Sequence, residues 1–209
     1  MSKKPKLKLA KDVALLRLDL GCGESPMEGY EGVDLHAPNA KHKVDLWKFP
    51  WPWADESVEA LYSSHFLEHI PARNVEMDDI LLPSWPDRDL KRESLAGMDM
   101  LCVFMQEAWR VLKVGGEFKI VVPSGRSTRA FQDPTHRRFF HAENFYYFNR
   151  AWRDANKLGH YLGNSNFAFE VTPTVPQELS VLSQEAQQRR FAECWNTTYD
   201  FHARLVKEP

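Results

Sequence analysis

Cysteine is scarce in this 209-residue chain: the three present, Cys22, Cys102 and Cys194, are odd in number and far apart. No Cys-x-x-Cys pair occurs, so neither a disulfide framework nor a cysteine-based zinc site is indicated. Long apolar runs are missing as well. No stretch of eighteen apolar residues occurs, and the lysine-rich start of the chain has no apolar segment behind it. A membrane span or signal peptide is therefore not expected, and a cytoplasmic location follows by default. Internal repeats and low-complexity tracts are absent too.

Charge of one sign is not in large excess, the formal net charge being −2. Its distribution is uneven, however. Residues 1–11 carry five lysines and no acid, and residues 126–153 carry six arginines against Asp133 and Glu143. That asymmetry admits an anionic partner, but arginines also cover aromatic surface with their apolar stems. With 43% hydrophobic and 27% charged residues, the composition is that of an ordinary globular protein. The length fits a basic tail over 1–11 and one domain over 12–209.

Residues 16–22 read as a short buried strand stopped by Gly21 and Gly23. Further strands are expected at 32–35, 43–46 and 57–63. The prolines at 50 and 52 forbid a regular central strand between the last two. Residues 74–97, with Pro83, Pro86 and mixed charge, read as an insertion, partly helical over 75–82 and a candidate lid. The spacing of Leu101, Phe104, Met105, Ala108, Val111 and Leu112 predicts an amphipathic helix over 98–113, ended by Gly115-Gly116. A strand over 117–122 follows. Alternation at Phe167, Phe169 and Val171, and again from Trp195 to Leu205, predicts two half-exposed antiparallel strands. The fold class expected is α/β, a single doubly wound, Rossmann-like, mostly parallel sheet that ends in an antiparallel hairpin.

Ligands of such sheets bind beyond the carboxyl ends of the strands, and chemistry-bearing residues fall there in order. Gly21-Cys22-Gly23 follows the first strand, where missing side chains let backbone approach a ligand. Asp34 ends the second strand, suited to accept from ribose hydroxyls. Asp45 ends the third, within reach of an adenine amine, and Ser63-Ser64-His65 ends the fourth. Each signal is weak alone, since a strand-end aspartate is often only a cap. The ordered set carries more weight.

On Leu18-Asp19-Leu20-Gly21-Cys22-Gly23, Gly32-Val33-Asp34-Leu35, Val44-Asp45-Leu46, Ser64-His65-Phe66-Leu67-Glu68-His69-Ile70 and Glu107 to Gly116, the chain resembles class I S-adenosylmethionine-dependent methyltransferases over residues 16–125. The resemblance implies that S-adenosyl-L-methionine is the cofactor. It assigns Leu20, Gly21, Cys22 and Gly23 to its methionine end, Asp34 and Leu35 to its ribose, and Asp45 and Leu46 to its adenine. Ser64 and His65 then line the transfer site. The activity implied is methyl transfer to an acceptor that the sequence leaves open: small molecule, protein or nucleic acid. A non-catalytic protein that keeps this fold as a structural or regulatory module, with or without nucleic acid, is the alternative.

Two departures stand out: only residues 24–31 are available for a crossover helix, and the insertion has no counterpart in the minimal fold. A dinucleotide enzyme is disfavoured because Pro26 replaces the third glycine of Gly-x-Gly-x-x-Gly. Asp133-Pro134 predicts a turn that presents His136, so His136 and His65 are the candidate bases. His65-x-x-Glu68-His69 has the spacing of one zinc-protease class. Its place straight after a strand and before Pro71 argues against a continuous ligand-bearing helix, and no metal is expected. The aromatic and arginine stretch 139–152 would suit single-stranded nucleic acid, but a packed aromatic helix is favoured. The Pro-Pro-Tyr and Pro-Cys signatures of DNA methyltransferases are absent.

Overall fold

The computed structural model describes residues 15–81, 95–159, 163 and 165–209. The basic tail 1–11 and the centre of the expected insertion, 82–94, lie outside them. One six-stranded sheet organises the chain: β1 (Arg17–Leu20), β2 (Glu31–Val33), β3 (Val58–Ser64), β4 (Leu112–Pro123), β5 (Phe167–Thr174) and β6 (Asp200–Lys207). The strand order is β2-β1-β3-β4-β6-β5. Strands β1 to β4 run parallel, and β6 lies antiparallel between β4 and β5.

Register explains the core. Leu18 pairs with Leu61, Leu61 with Phe118, Phe118 with Leu205, and Ile120 with Ala203. In a pleated sheet such rows share one face, and all of these residues are buried. Helix α1 (Met100–Val111) covers that core with Val103, Phe104, Ala108 and Val111. Its start is capped by Asp99, whose side chain accepts from the Leu101 amide. Each such Phe or Leu contributes about 1.5–3 kcal/mol on burial. The alternate positions Tyr62, Lys119 and Arg204 face the other way and are polar and only partly covered.

A buried ion pair ties the apolar 49–55 segment to α1. The Trp51 amide donates to Glu107 Oε1 at 2.6 Å, and Arg110 Nε donates to Glu107 Oε2 at 2.7 Å. Arg110 also reaches Asp55 and the Trp53 carbonyl. Burial raises the Glu107 pKa and the Arg110 guanidinium opposes that rise.

Three expectations need correction. Residues 43–46 are not a strand: pairing beside β2 stops at one bridge between Val33 and His42, because Asp45 Oδ1 turns back to accept from the Trp47 amide. The last alternating run becomes a strand only at Asp200. Asn196 sits at φ 60°, and its amide and side chain bind Arg126 and Thr128 instead of a ladder. Helix α1 stops at Val111, before Gly115-Gly116. Leu112 already pairs with Val58, and a register shift then absorbs the two glycines within β4.

Between β1 and β2 there is no helix, as the few intervening residues require. Turns carry the chain across, held where the Met27 amide donates to buried Asp19 Oδ2 at 2.8 Å. In the described part of the expected insertion, Met77–Asp79 forms a turn of 3-10 type. Val75, Ile80 and Leu95 are buried there. The aromatic stretch is a 3-10 helix (Ala142–Phe148) followed by α3 (Arg150–Ala155), and it buries Phe145 and Phe148 in the core. A 3-10 turn (Leu67–His69) just beyond β3 and the helices α2 (Arg129–Gln132), α4 (Gln177–Ser180) and α5 (Gln184–Glu193) complete the described elements.

Candidate functional site

The chain leaves β1 to one side for β2 and then returns across it to β3, so the switch in strand order lies between β1 and β3. Beyond the carboxyl ends there, three consecutive residues face three clefts. Phe66 lines the first, Ser64 the second and His65 the third.

The first cleft, about 200 Å³, collects Gly21, Asp34, Leu35, Asp45, Leu46, Trp47 and Phe66. Gly21 sits at φ 70°, and a Cβ there would come within 2.1 Å of the Phe66 ring. Only glycine allows this turn beneath that ring. Asp34 is fixed by backbone: Oδ1 accepts from the His36 and Ala37 amides, each at 2.8 Å, and Oδ2 from Gly23 at 3.2 Å. Partial burial pushes its pKa up, but these three amides outweigh burial and hold it below the usual carboxylate range. Of roughly four acceptor positions, one is left for a ligand hydroxyl. Trp47 stacks on Phe66 with ring centres 5.1 Å apart and planes within 6°.

The second cleft, about 460 Å³, is lined by Asp19, Gly21, Cys22, Ser25, Met27, Tyr62 and Ser64. Burial, then the charges of Asp19 and Asp34, push the Cys22 thiol up to about 11. It is therefore a neutral lining group at physiological pH rather than a nucleophile.

The third cleft, about 660 Å³, holds His65, Glu68, His69, Arg129, Asp133 and His136. His65 occupies the left-handed region at φ 52°, which non-glycine residues rarely adopt outside special sites. Its Nδ1 stands 3.4 Å from Glu68 Oε1. The Glu68 carboxylate raises the His65 pKa, against the lowering effect of burial. The Asp133-Pro134 turn forms as its sequence predicts: the Thr135 amide donates to Asp133 Oδ1, and the His136 amide to the Asp133 carbonyl. His136 Nδ1 lies 2.8 Å from the Ala130 carbonyl and its Nε2 lies 3.9 Å from Glu68 Oε1.

The structure thus brings Gly21, Asp34, Leu35, Asp45 and Leu46 to one cleft, Cys22 and Ser64 to the next, and His65 and His136 to a third. Leu20 is buried beneath them, and its carbonyl accepts from the Ser63 hydroxyl. Gly23 reaches the site through its bond to Asp34. The described insertion residues 74–81 and 95–97 line none of the three clefts.

Sequence reasoning missed Trp47, Phe66, Tyr62, Asp19 and Glu68 as lining residues. The signals were faint: an aromatic two positions after Asp45, another just past a strand end, and an acid inside a run of leucines. Arginines of the 126–153 stretch are committed within the chain. Arg126 holds the carbonyls of Phe191 and Ala192, Arg138 those of Ile70 and Pro71, and Arg153 those of Tyr147 and Ser165. Arg129 pairs with Asp200.

No family model and no curated protein matches the chain. Solved structures do. A SAM-dependent methyltransferase from Archaeoglobus fulgidus superposes with a TM-score of 0.57 at 18% identity, over 94% of this chain and 87% of that one. A possible histamine N-methyltransferase from Thermotoga maritima gives 0.50 at 15%, over 92% and 82%. The likeness shows the fold: this chain has that of class I S-adenosylmethionine-dependent methyltransferases. Among the described residues, no helix is long and apolar enough to cross a membrane.

Proposed function

We propose that the chain is a methyltransferase that uses S-adenosyl-L-methionine and accepts its substrate from the His65 side. The observation that carries this reading is the convergence of the glycine turn, Asp34 and Asp45 on one cleft at the switch point. The donor set fits the cofactor. Asp34 is ionised and immobile with one acceptor position spare, a match for a ribose hydroxyl. Asp45 and Leu46 flank space for adenine beside the Trp47–Phe66 stack, which offers a planar apolar wall. The second cleft, continuous with the first through Gly21, would take the methionine end against Ser25, Tyr62, Ser64 and loop amides. With no helix after β1, those groups replace the usual helix N-terminus for its carboxylate.

The cofactor supplies an electrophilic methyl group on a sulfonium. The protein supplies alignment and exclusion of water, which account for most of the acceleration in a direct displacement. The third cleft receives the acceptor, a small molecule or part of a protein or nucleic acid. His65 takes the proton released by an oxygen or nitrogen acceptor, its side chain half-exposed at the cleft wall. His136 is fixed by Ala130, its Nε2 turned toward Glu68. Exposed Phe131, stacked on Phe139 at 4.6 Å and tilted against Trp195 at 5.9 Å, flanks this side with both and adds apolar contact for an acceptor.

Calorimetric titration with S-adenosylmethionine and its demethylated product tests the cofactor half. Both should bind, and Asp34→Asn should weaken binding about ten- to a hundredfold, the worth of a charge-assisted hydrogen bond. Absence of binding to folded protein at millimolar ligand rejects the reading. An acceptor screen with labelled methyl groups tests the other half, and cofactor binding without any labelled product would favour the non-catalytic alternative.

A further inference from the structure

Glu68 is the least expected group in the molecule. Its side chain is fully buried, yet no well-formed hydrogen bond reaches either carboxylate oxygen, the nearest side-chain nitrogen being His65 Nδ1 at 3.4 Å. Burying an incompletely partnered carboxylate is costly. Two further imidazoles stand close by. A ring nitrogen of His69, a ring nitrogen of His136 and a Glu68 oxygen all lie within 4.8 Å of one another.

The outer contacts of the two imidazoles fix their tautomers. His136 Nδ1 faces the Ala130 carbonyl at 2.8 Å. A carbonyl only accepts, so Nδ1 carries the proton and the neutral ring keeps its lone pair on Nε2, 3.9 Å from Glu68 Oε1. His69 Nδ1 lies 3.0 Å from Thr135 Oγ1, and the Thr135 hydroxyl donates to Asp133 Oδ1 at 2.7 Å. The threonine proton is thus committed, so His69 Nδ1 donates and its Nε2 also keeps a lone pair. The His136 lone pair, a His69 ring nitrogen and the Glu68 carboxylate thus gather at one small space, with His65 Nδ1 3.4 Å from the same Glu68 oxygen. A cation between the two imidazoles and the carboxylate would satisfy all three at once.

We propose that Glu68, His69 and His136 form a metal site that takes one divalent first-row transition ion. Two imidazoles and one carboxylate favour zinc, cobalt, manganese or iron(II) over magnesium or calcium, which prefer oxygen ligands throughout. Ala130 and the Asp133–Thr135 pair are the outer partners that commonly orient ligating histidines. The three ligands come from a strand-end turn and the Asp133 turn, so no continuous helix is needed, and the expectation of no metal drawn from the His-x-x-Glu-His spacing gives way here. Only three protein ligands are present and the cleft is open, which leaves positions for water or for an acceptor atom. The site stands independently of the cofactor reading, because its ligands lie outside the first two clefts.

The test uses untagged protein stripped with a chelator and titrated with cobalt(II) chloride, then zinc chloride, without cofactor. The expected result is one ion per chain, visible cobalt absorption, and displacement of cobalt by zinc. His69→Ala and His136→Ala should each weaken binding by at least a hundredfold. Thr135→Val, which touches no ion, should weaken it about ten- to a hundredfold through the orientation of His69. Circular dichroism checks that each variant is folded. Folded wild-type protein that binds neither ion at millimolar concentration overturns the proposal, as does binding that both histidine variants leave unchanged. In either case a proton, shared as an imidazolium–carboxylate pair, fills the space instead.

Discussion

Asp34 and Glu68 are two carboxylates beyond the same edge of the sheet, in different clefts, and the fold treats them in opposite ways. Asp34 receives three backbone amides and is complete before any ligand arrives. The Glu68 carboxylate receives no well-formed hydrogen bond, its nearest side-chain nitrogen being His65 Nδ1 at 3.4 Å, although its backbone carbonyl accepts from the Arg137 and Arg138 amides. The first arrangement is a finished cradle whose spare capacity is small and directed. The second is an unfinished one that stores electrostatic cost at a buried carboxylate. A preformed cradle suits a ligand bound in one orientation, whereas an electron-rich hole suits a cation.

The comparison can be attacked from the scaffold outward. The first region depends on the Glu107–Arg110 pair, which pins the 49–55 segment, where Trp51 donates to the Leu46 carbonyl beside the first cleft. Glu107→Ala strands a buried guanidinium and should cost about 3–5 kcal/mol of stability, read by denaturant unfolding. Gly21→Ala comes next. It drives a methyl group into Phe66 and forces a left-handed backbone on alanine, so about 2–4 kcal/mol is expected, with cofactor binding lost as well.

Asp34→Ala should cost about 1–2 kcal/mol in ligand-free protein, because the amides it caps lose their acceptor. Asp34→Asn should keep part of that stability and still lose affinity, separating the cap from the ligand role. Glu68→Gln has the opposite sign: in chelator-treated protein it removes a buried carboxylate that no well-formed hydrogen bond reaches and should raise stability by about 1 kcal/mol. A large loss from Glu68→Gln would show that the carboxylate is satisfied in a way the structure does not contain.

Much of this architecture was legible in the residues. Period-two alternation located β5 and the body of β6, and the spacing of Leu101 to Val111 located α1. The Leu-Asp-Leu-Gly-Cys-Gly run located the switch-point turn. What escaped depended on competition between local and long-range bonds. Lys43-Val44-Asp45-Leu46 has strand composition, but the Asp45 side chain captures the Trp47 amide and ends the pairing at His42. Trp195 to Tyr199 alternates correctly, yet Asn196 bonds to Arg126 and Thr128, far away in sequence. The first two clefts could be anticipated in part because Gly21, Cys22 and Asp34 directly follow β1 and β2. The third could not be read in full, since His136 meets Glu68 only when a turn 68 positions later folds back over β3.

Hydrogen–deuterium exchange with and without S-adenosylhomocysteine tests the central claim, that the ligand sits in the Asp34 cradle, most directly. Slowed exchange is expected in peptides covering 21–23, 34–37 and 45–47, with 200–207 unchanged. Binding that leaves the 21–23 and 34–37 amides at their ligand-free rates, or protects only the His65–His136 side, would contradict it.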